Sequence, residues 1–278
     1  MALRGVPVRE ALEGAVVAIA AGGSQTPRLD AEVLLAHALG VERVALVVDP
    51  EREVTGPAVR RFQELVRRRS AEREPVAYLV GRKGFRHIEL EVDPRVLIPR
   101  PETELLVEVA LDLAPGARVH EVGTGSGAVA LALKQERPGL RVSASDVSEE
   151  ALEVARANAA RLGLDVAFLQ ADLLAGLEGA DLDAVLCNPP YVADGDRASL
   201  APEIVRHEPA GALFAGSDGL AVITRLVPQA AATSARLVAL EIGLGQAGAV
   251  GDVMRAAGFA TETRADLAGI ERVVVGRR

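Results

Sequence analysis

From residue 118 onwards, short apolar runs alternate with longer segments of helical periodicity, and this alternation is the strongest constraint on the fold. Strands that alternate with helices build a mostly parallel sheet covered on both faces. The sequence therefore predicts a doubly wound, Rossmann-like α/β domain of seven strands. The last two runs are joined by a polar turn too short for a full helix, so the final strand is expected to be antiparallel. The predicted strands lie near residues 118–122, 141–145, 165–169, 183–187, 236–242, 257–263 and 271–275.

The first 80 residues have helical periodicity and little strand signal. A second helix is expected to begin at Thr26-Pro27 and to end at Gly40, and a short fourth follows Pro75. These segments predict a small all-helical N-terminal domain. The apolar positions of the first three helices are Leu12, Val16, Val17 and Ile19, then Val33, Leu34, Leu35 and Leu39, then Phe62, Leu65 and Val66.

The apolar period changes in residues 85–98, where Ile88, Leu90 and Val92 alternate with charged residues. Asp93-Pro94 marks a turn before the apolar run Val96-Leu97-Ile98. We interpret this pattern as a β-hairpin that links two domains. The predicted organisation is a helical domain in residues 1–80, a hairpin linker in 81–100 and the α/β domain in 101–278.

Charge and cysteine content exclude several classes of protein. A formal net charge of −8 disfavours a duplex DNA binder, which normally offers a basic face to phosphates. A single cysteine, Cys187, excludes an internal disulfide framework, and the four histidines show no metal-ligand spacing. No apolar run reaches the length that spans a membrane. We expect a cytoplasmic, monomeric protein without a metal site. The arginine-rich stretch 60–73 is either a solvated helix face or a docking surface for an acidic or phosphate-bearing partner.

A glycine-rich loop follows the first strand of the α/β domain, and an Ala- and Leu-rich helix comes after it. Its glycines allow a tight turn and a close approach of backbone N–H groups to a ligand, although many α/β proteins have such a loop. Asp146 ends the second strand, where its carboxylate either accepts bonds from ribose hydroxyls or caps the next helix. Asp172, after the third strand, either accepts from an adenine amino group or caps a turn. The loop is Gly123-Thr124-Gly125-Ser126-Gly127.

The turn after the fourth strand carries an amide side chain, two prolines and an aromatic ring, in the order Asn188-Pro189-Pro190-Tyr191. Two prolines remove two N–H donors and fix two φ angles, so the turn is stiff. Such a turn offers acceptors and a ring face to a planar amide or amine. By itself the sequence is equally that of an ordinary turn at the end of a strand.

Together these motifs resemble the peptide chain release factor glutamine methyltransferases, a family of S-adenosylmethionine-dependent enzymes. The resemblance extends over nearly the whole chain and includes the segment from Val96 to Glu104, which separates this family from DNA adenine methyltransferases. The other matching segments are Pro75-Val76-Ala77-Tyr78-Leu79-Val80-Gly81, Glu208-Pro209, Ser217-Asp218-Gly219-Leu220 and Glu241-Ile242-Gly243.

The resemblance implies methyl transfer from S-adenosylmethionine to the amide nitrogen of the glutamine in the Gly-Gly-Gln loop of release factors. It implies that the N-terminal domain contacts the protein substrate and that no sequence-specific nucleic-acid contact is needed. Asn188, Pro189 and Tyr191 become the expected catalytic residues, and Pro190 and Arg100 join them in binding substrate. The expected cofactor contacts are Glu121, Gly123, Thr124, Gly125, Ser126, Gly127, Asp146, Asp172, Leu173 and Asn188.

The chain departs from the family pattern in three places. Glu121 stands where Asp is usual, and Leu173 stands where an aromatic often follows the acidic residue. The linker Phe85-Arg86-His87-Ile88-Glu89-Leu90 replaces a more aromatic pattern. Two other functions remain open on the residues alone. One is an adenine methyltransferase acting on DNA or RNA through the same turn, with the Tyr191 ring stacked on a flipped base. The other is a nucleotide-binding protein without catalysis. The segment 192–218 is long for a connection and is a candidate lid or docking loop.

Overall fold

The computed structural model describes residues 5–278, which form two compact units. The first unit contains the described residues up to Gly81 together with Ala201–His207. The second unit contains Arg82–Leu200 and Glu208–Arg278. The chain therefore leaves the second unit after Leu200, contributes seven residues to the first, and returns at Glu208.

The first unit is helical, as the sequence predicts. A proline in the first turn begins α2 and α4, and Gly40 closes α2 in the left-handed conformation (φ 65°). Leucine, valine and phenylalanine side chains from these helices form its core. The elements are β1 (Val6–Pro7), α1 (Val8–Ala21), α2 (Pro27–Leu39), α3 (Arg43–Val48), β2 (Glu53–Val54), α4 (Pro57–Arg67) and α5 (Val76–Val80).

The buried face of α1 includes only some of its apolar residues. Leu12 and Ile19 are buried, whereas Val17 is 71% exposed and Ala15 packs in the core. Val17 lies five positions after Leu12, which turns its side chain about 140° away at 100° per residue. Apolar chemistry alone therefore does not show which residues of α1 are buried.

The hairpin forms one strand earlier in the chain than the sequence analysis placed it. Strand β3 (Arg82–Phe85) pairs antiparallel with β4 (Ile88–Glu91). The turn lies at Arg86, which has φ 47°. Glycine and asparagine are the residues that usually signal this left-handed conformation in a sequence, and neither stands at position 86. The predicted partner run 96–98 is not a strand. The hairpin groups with the second unit, and Arg86 forms an ion pair there with Glu136.

A seven-stranded sheet forms the centre of the second unit, in the order β10-β11-β9-β8-β5-β6-β7. The four neighbouring pairs among β5 to β9 are parallel. Strand β11 runs antiparallel to both of its neighbours, β9 and β10. The predicted fold class is therefore confirmed, including the antiparallel final strand. The strands are β5 (Arg118–Val122), β6 (Arg141–Asp146), β7 (Ala167–Gln170), β8 (Ala184–Cys187), β9 (Leu237–Glu241), β10 (Ala260–Ala265) and β11 (Glu271–Arg277).

Helix α6 (Glu104–Ala110) precedes β5, and α9 (Pro202–His207) belongs to the first unit. The helices that connect strands of this sheet are α7 (Ala128–Glu136), α8 (Glu149–Leu162), α10 (Ala221–Ala231) and α11 (Ala247–Ala256). Strands β8 and β9 are buried at every position, which explains the apolar sequence of β8 and of β9 up to Leu240. Among residues 5–278, no helix is long and apolar enough to cross a membrane.

The segment 192–218 has defined secondary structure. It contains 3₁₀ turns at Asp194–Ser199 and Ala210–Ala212 on either side of α9. The Arg197 guanidinium lies over the Phe214 ring, 4.2 Å from its centroid. Val192 and Phe214 form a parallel bridge that joins the two ends of the segment.

Candidate active site

The strand order brings the predicted site residues to one edge of the sheet. Strand β5 lies between β8 and β6, so the chain leaves β5 towards one side while β8 lies on the other. In parallel sheets the crevice beyond such a reversal is where ligands bind. The glycine loop follows β5, Asp146 ends β6, and Asn188 follows β8. Residues that are 65 positions apart in the chain thus share one edge.

The glycine loop combines two kinds of glycine. Gly123 and Gly125 have φ of 70° and 54°, and a Cβ on either would meet no atom within 4 Å. These two positions need glycine for their backbone conformation and leave open space beside the loop. Gly127 has φ 84°, and its Cβ would lie 2.8 Å from Leu131 Cδ1. Gly127 therefore permits close packing at the start of α7.

Glu121 lies beneath this loop rather than at its open side. The side chain is only 4% exposed, and its carboxylate accepts hydrogen bonds from the Thr124 hydroxyl (2.6 Å) and the Ala130 N–H (2.9 Å). Burial raises the pKa of Glu121 to about 7, and those two hydrogen bonds oppose the rise. The observed contacts of Glu121 therefore shape the loop and the first turn of α7.

Asp146 joins the glycine loop to the start of α8. Its Oδ2 accepts from the Gly125 N–H (2.9 Å) and its Oδ1 from the Ser148 N–H (3.0 Å). Ser148 itself is the N-cap of α8, since its hydroxyl accepts from the Ala151 N–H. Asp146 is therefore not the helix cap. Each of its carboxylate oxygens still has acceptor capacity beyond the bond it makes.

Asp172 and Leu173 lie past the end of β7. The Asp172 carboxylate pairs with Arg225 at 2.6 Å, and both side chains are more than half exposed. Leu173 has φ 60°, which is unusual for a leucine and indicates a constrained backbone at this edge. Neither residue is brought into contact with Asp146 by any observed hydrogen bond, so their predicted contact with adenine stays a prediction.

The turn after β8 is contacted by Thr103, which lies in the segment from Val96 to Glu104. The Asn188 Nδ2 donates to the Thr103 hydroxyl at 3.1 Å. Thr103 is buried at the end of the 3₁₀ turn Pro101–Thr103, and Pro189 is buried as well. In this arrangement the amide nitrogen of Asn188 faces Thr103 and its oxygen faces away from Thr103.

Three sequence motifs meet at Tyr191. The Gln246 Nε2 donates to the Tyr191 carbonyl at 3.0 Å, and the Gln246 Oε1 accepts from the Gly243 N–H at 2.8 Å. Gly219 has φ 74°, and a Cβ there would lie 2.2 Å from the Tyr191 carbonyl oxygen. The Tyr191 hydroxyl lies 3.4 Å from the Glu241 Oε1. Residues of the Ser-Asp-Gly-Leu and Glu-Ile-Gly segments thus contact the turn after β8.

Arg100 forms an ion pair with Glu208, whose other oxygen accepts from the Ile98 N–H at 3.1 Å. Glu208 is 6% exposed, while the Arg100 side chain is about a third exposed. The ion pair therefore joins the segment before α6 to the end of the long connection after β8. A direct contact of Arg100 with substrate remains a prediction.

Sequence reasoning assigned no role to Thr103, Glu241 or Gln246. Thr103 and Glu241 stand in segments that carry the resemblance, but their polar contacts involve residues far away in the chain. The one local signal was an acid at the end of the otherwise apolar strand β9. A buried carboxylate at that place needs a partner or a function.

Two family models match the chain. Residues 10–81 match the PrmC N-terminal domain, and residues 101–240 match the methyltransferase small domain. The catalytic domain of hMettl16, solved with a MAT2A 3′UTR hairpin, superposes with a TM-score of 0.55 at 17% identity over 82% of this chain and 84% of that one. At that identity the likeness shows the fold alone. Fold, glycine loop and methyltransferase domain together define an S-adenosylmethionine-dependent methyltransferase with a Rossmann-like fold.

Curated relatives narrow the class. The chain is 42% identical over 276 residues to the release factor glutamine methyltransferase of Deinococcus radiodurans, with 98% of each chain covered. It is 47% identical over 262 residues to the protein of the same name from Burkholderia pseudomallei, with 90% of this chain and 91% of that one covered. The chain belongs to the release factor glutamine methyltransferase family.

Proposed function

We propose that the protein transfers a methyl group from S-adenosylmethionine to the side-chain amide nitrogen of the glutamine in the Gly-Gly-Gln loop of a peptide chain release factor. The observation that carries the proposal is the turn Asn188-Pro189-Pro190-Tyr191 beside an open glycine loop at one sheet edge. Membership of the family supports the choice of substrate. The reaction then belongs to translation in the cytoplasm and needs no sequence-specific contact with nucleic acid.

The edge residues fit the proposed cofactor. Open space beside Gly123 and Gly125 admits a ligand against the backbone, and Asp146 offers carboxylate lone pairs to ribose hydroxyls. Asp172 and Leu173 would lie on the adenine side of such a ligand. When bound, the cofactor supplies an electrophilic sulfonium methyl group; everything else in the reaction is positioning by the chain.

A primary amide nitrogen is a poor nucleophile because its lone pair is delocalised into the carbonyl group. Two acceptors for its N–H hydrogens, the Asn188 Oδ1 and the Pro189 carbonyl, would orient the nitrogen and favour a pyramidal form whose lone pair faces the methyl group. Fixed dipoles of this kind lower the barrier because they need no reorganisation during the reaction. Tyr191 would pack against the amide plane. No strong general base is required, since the proton leaves after methyl transfer.

We further infer that the two units divide the work. The helical unit, predicted as residues 1–80, would dock the release factor. The part predicted as residues 101–278 would bind cofactor and carry out the transfer, with the hairpin region 81–100 attached to it. In support, the polar residues proposed to bind the cofactor and the substrate amide, Asp146, Asp172 and Asn188, all lie in the second unit. A protein substrate also needs an extended surface, which a small turn cannot supply.

Incubation of the protein with methyl-labelled S-adenosylmethionine and purified release factors tests the proposal. We expect label on the intact release factor and none on a release factor whose loop glutamine is replaced by alanine. Nuclease treatment of both proteins beforehand should leave the labelling unchanged. Label that follows nucleic acid, or that persists on the glutamine-free release factor, would overturn the proposed substrate.

A further inference from the structure

A cluster of three polar side chains lies between β5 and β6 inside the sheet. His120 on β5 pairs across the strands with Ser143, and Ser145 lies two residues further along β6 on the same face. His120 is 2% exposed and Ser145 is fully buried. Apolar side chains of similar size would avoid the cost of burying these polar atoms, so the cluster calls for an explanation outside stability.

The hydrogen bonds of this cluster have a single direction. The Ser145 hydroxyl donates to the Leu173 carbonyl at 3.2 Å, which uses its only hydrogen. Ser145 must therefore accept from the His120 Nε2–H, 3.0 Å away. Burial lowers the pKa of His120 to about 4, so the imidazole is neutral and its Nδ1 accepts from the Ser143 hydroxyl at 2.8 Å. His120 thus orients the Ser145 hydroxyl towards Leu173.

The peptide group between Leu173 and Leu174 is bonded to side chains at both of its polar atoms. Its carbonyl oxygen accepts from Ser145 on β6, and its N–H donates to the Gln229 Oε1 on α10 at 3.0 Å. Leu173 has φ 60°, a conformation that costs a leucine free energy and persists only where surrounding contacts impose it. The two side chains therefore stabilise a backbone conformation that is otherwise unfavourable.

Asp172 lies between two attachments to β6. On one side, the Ala171 N–H donates to the Asp146 carbonyl at 3.0 Å. On the other side, Ser145 holds the Leu173 carbonyl. Because Ser145 and Asp146 are consecutive in β6, one short piece of strand sets the position of Asp172 relative to Asp146. These are the two carboxylates expected at the adenine and at the ribose of the cofactor.

We propose that Ser145, oriented by His120, is a positioning residue for the cofactor: its hydroxyl fixes the Leu173 peptide group and so keeps the Asp172 carboxylate where it can accept from the adenine amino group. Arg225 pairs with the Asp172 Oδ2, and Oδ1 has acceptor capacity for that amino group. The inference rests on the proposed function, in which Asp172 and Leu173 lie on the adenine side of bound S-adenosylmethionine. Ser145 then controls the specificity for adenine as well as the affinity.

Calorimetric titration of the full chain with S-adenosylhomocysteine and with S-inosylhomocysteine tests the proposal. The two ligands differ only in the purine, where hypoxanthine carries an oxygen in place of the adenine amino group. The parent should bind the adenine form at least about tenfold more tightly, because that oxygen offers no hydrogen to Asp172. Ser145→Ala should bind the adenine form roughly tenfold more weakly and discriminate by no more than about threefold, since Asp172 is no longer held in place.

Three further variants control for effects on folding. Ser143→Ala is the matched control: it removes a hydroxyl of the same cluster that does not reach Leu173, and it should keep the parent's discrimination whatever its melting temperature. His120→Leu should lose part of the discrimination, and adding it to Ser145→Ala should change little more. Gln229→Leu releases the N–H of the same peptide group from α10 and should show a similar loss without altering the sheet interior.

Amide hydrogen exchange of the cofactor-free protein gives a readout that is independent of ligand binding. The Leu174 N–H is bonded to Gln229 in the parent. It should exchange faster in Ser145→Ala, because the peptide group has lost its other attachment, and at the parent rate in Ser143→Ala.

The outcomes separate the positioning role from the proposed function. A parent that binds neither ligand would overturn both. A parent that discriminates as expected but methylates no release factor would overturn the proposed substrate alone. Equal binding of the two ligands by the parent, or full discrimination in Ser145→Ala, would restrict His120 and Ser145 to packing β5 against β6. An equal loss of discrimination in Ser143→Ala and Ser145→Ala would also contradict the role, because only Ser145 reaches Leu173.

Discussion

Asn188 is the residue on which the proposed chemistry depends. Its nitrogen is already bonded to Thr103, so the oxygen is the part of the amide left to receive a substrate N–H. Loss of a comparable preorganised hydrogen bond costs on the order of 10²–10³ in kcat.

We therefore expect Asn188→Ala to lower the single-turnover rate by about 10²-fold or more, with a much smaller change in cofactor affinity. Melting temperature and rate should be measured on the same preparation. A variant that melts early yet methylates at the parent rate would assign Asn188 to the stability of the turn alone.

Asp146 has two structural bonds in addition to its expected ligand. Asp146→Ala removes the acceptor of the Gly125 N–H and the carboxylate predicted to bind ribose hydroxyls. Charge-assisted hydrogen bonds contribute about 1.5–3 kcal/mol each, so cofactor affinity should fall roughly tenfold or more. Calorimetric titration measures the effect. Asp252→Ala, in an exposed ion pair on α11, serves as the control and should bind cofactor as the parent does.

Two buried acids give stability a characteristic pH dependence. The pKa values of Glu121 and Glu241 are both raised to about 7 by burial. Between pH 4.5 and pH 7 the unfolded chain loses these protons first, so the stability they contribute is complete below pH 4.5 and declines as pH rises through 7. Asp93 and Glu136 have lowered pKa values and act in the opposite sense, in a more acidic range.

The free energy of unfolding in urea should therefore fall from pH 5 to pH 7.5. In Glu241→Gln the fall should be smaller, because one of the two groups no longer titrates; each raised carboxyl contributes on the order of 3 kcal/mol across its window. Equal slopes for parent and variant would mean that Glu241 titrates at its ordinary pKa.

At the scale of secondary-structure elements, α9 is the helix that the sequence did not predict. Six residues cannot form a stable helix alone, so α9 depends on its contacts. Glu203 on this helix pairs with Arg73 and lies 3.4 Å from Arg69, which is itself buried against Asp30 at 2.7 Å. Part of the arginine-rich stretch therefore holds α9 through ion pairs. Arg67 and Arg68 form further ion pairs with Glu64 and Glu74 of the same unit.

We expect Glu203→Ala to release α9 from this anchor, since it leaves Arg69 and Arg73 without their shared carboxylate. Amide hydrogen exchange in residues 203–207 should become much faster, while exchange in β8 should remain at the parent rate. Glu64→Ala removes an exposed ion pair of α4 and should leave exchange in α9 unchanged. Unaltered exchange in Glu203→Ala would mean that α9 is held by its apolar contacts.

On the scale of the whole molecule, the division of labour between units can be tested by removing one. A fragment comprising Arg82–Arg278 retains the glycine loop, Asp146 and Asn188. It should bind S-adenosylmethionine within a few-fold of the parent affinity but methylate intact release factor far more slowly.

A short peptide with the Gly-Gly-Gln sequence supplies the matched substrate for this comparison. The parent and the fragment should methylate the peptide at similar rates, because the peptide is too short to use a docking surface. If the fragment loses activity on the peptide as well, the removed residues are needed for the reaction itself rather than for docking the substrate.

Most of the fold could be predicted from the sequence because its signals are local. Strand β8, and β9 up to Leu240, are buried on both faces and consist of apolar residues, and helices end at glycines such as Gly40. The hairpin was misplaced because its turn uses Arg86 at positive φ, where the residue type gives no warning. The exposure of Val17 does not follow from its apolar chemistry, because it depends on the rotation of the helix.

The sequence by itself determined that Asn188 and the glycine loop lie at one edge, since parallel strands place their carboxyl ends together. Only the tertiary structure decided that Thr103 and Glu241 meet at Asn188 and Tyr191, and that Glu203 returns to the arginines of the helical unit. Periodicity and turn signals extend over a few residues, whereas these contacts join side chains from 50 to more than 130 positions apart. Such pairings depend on the register of the sheet and the packing of whole elements, which no local pattern contains.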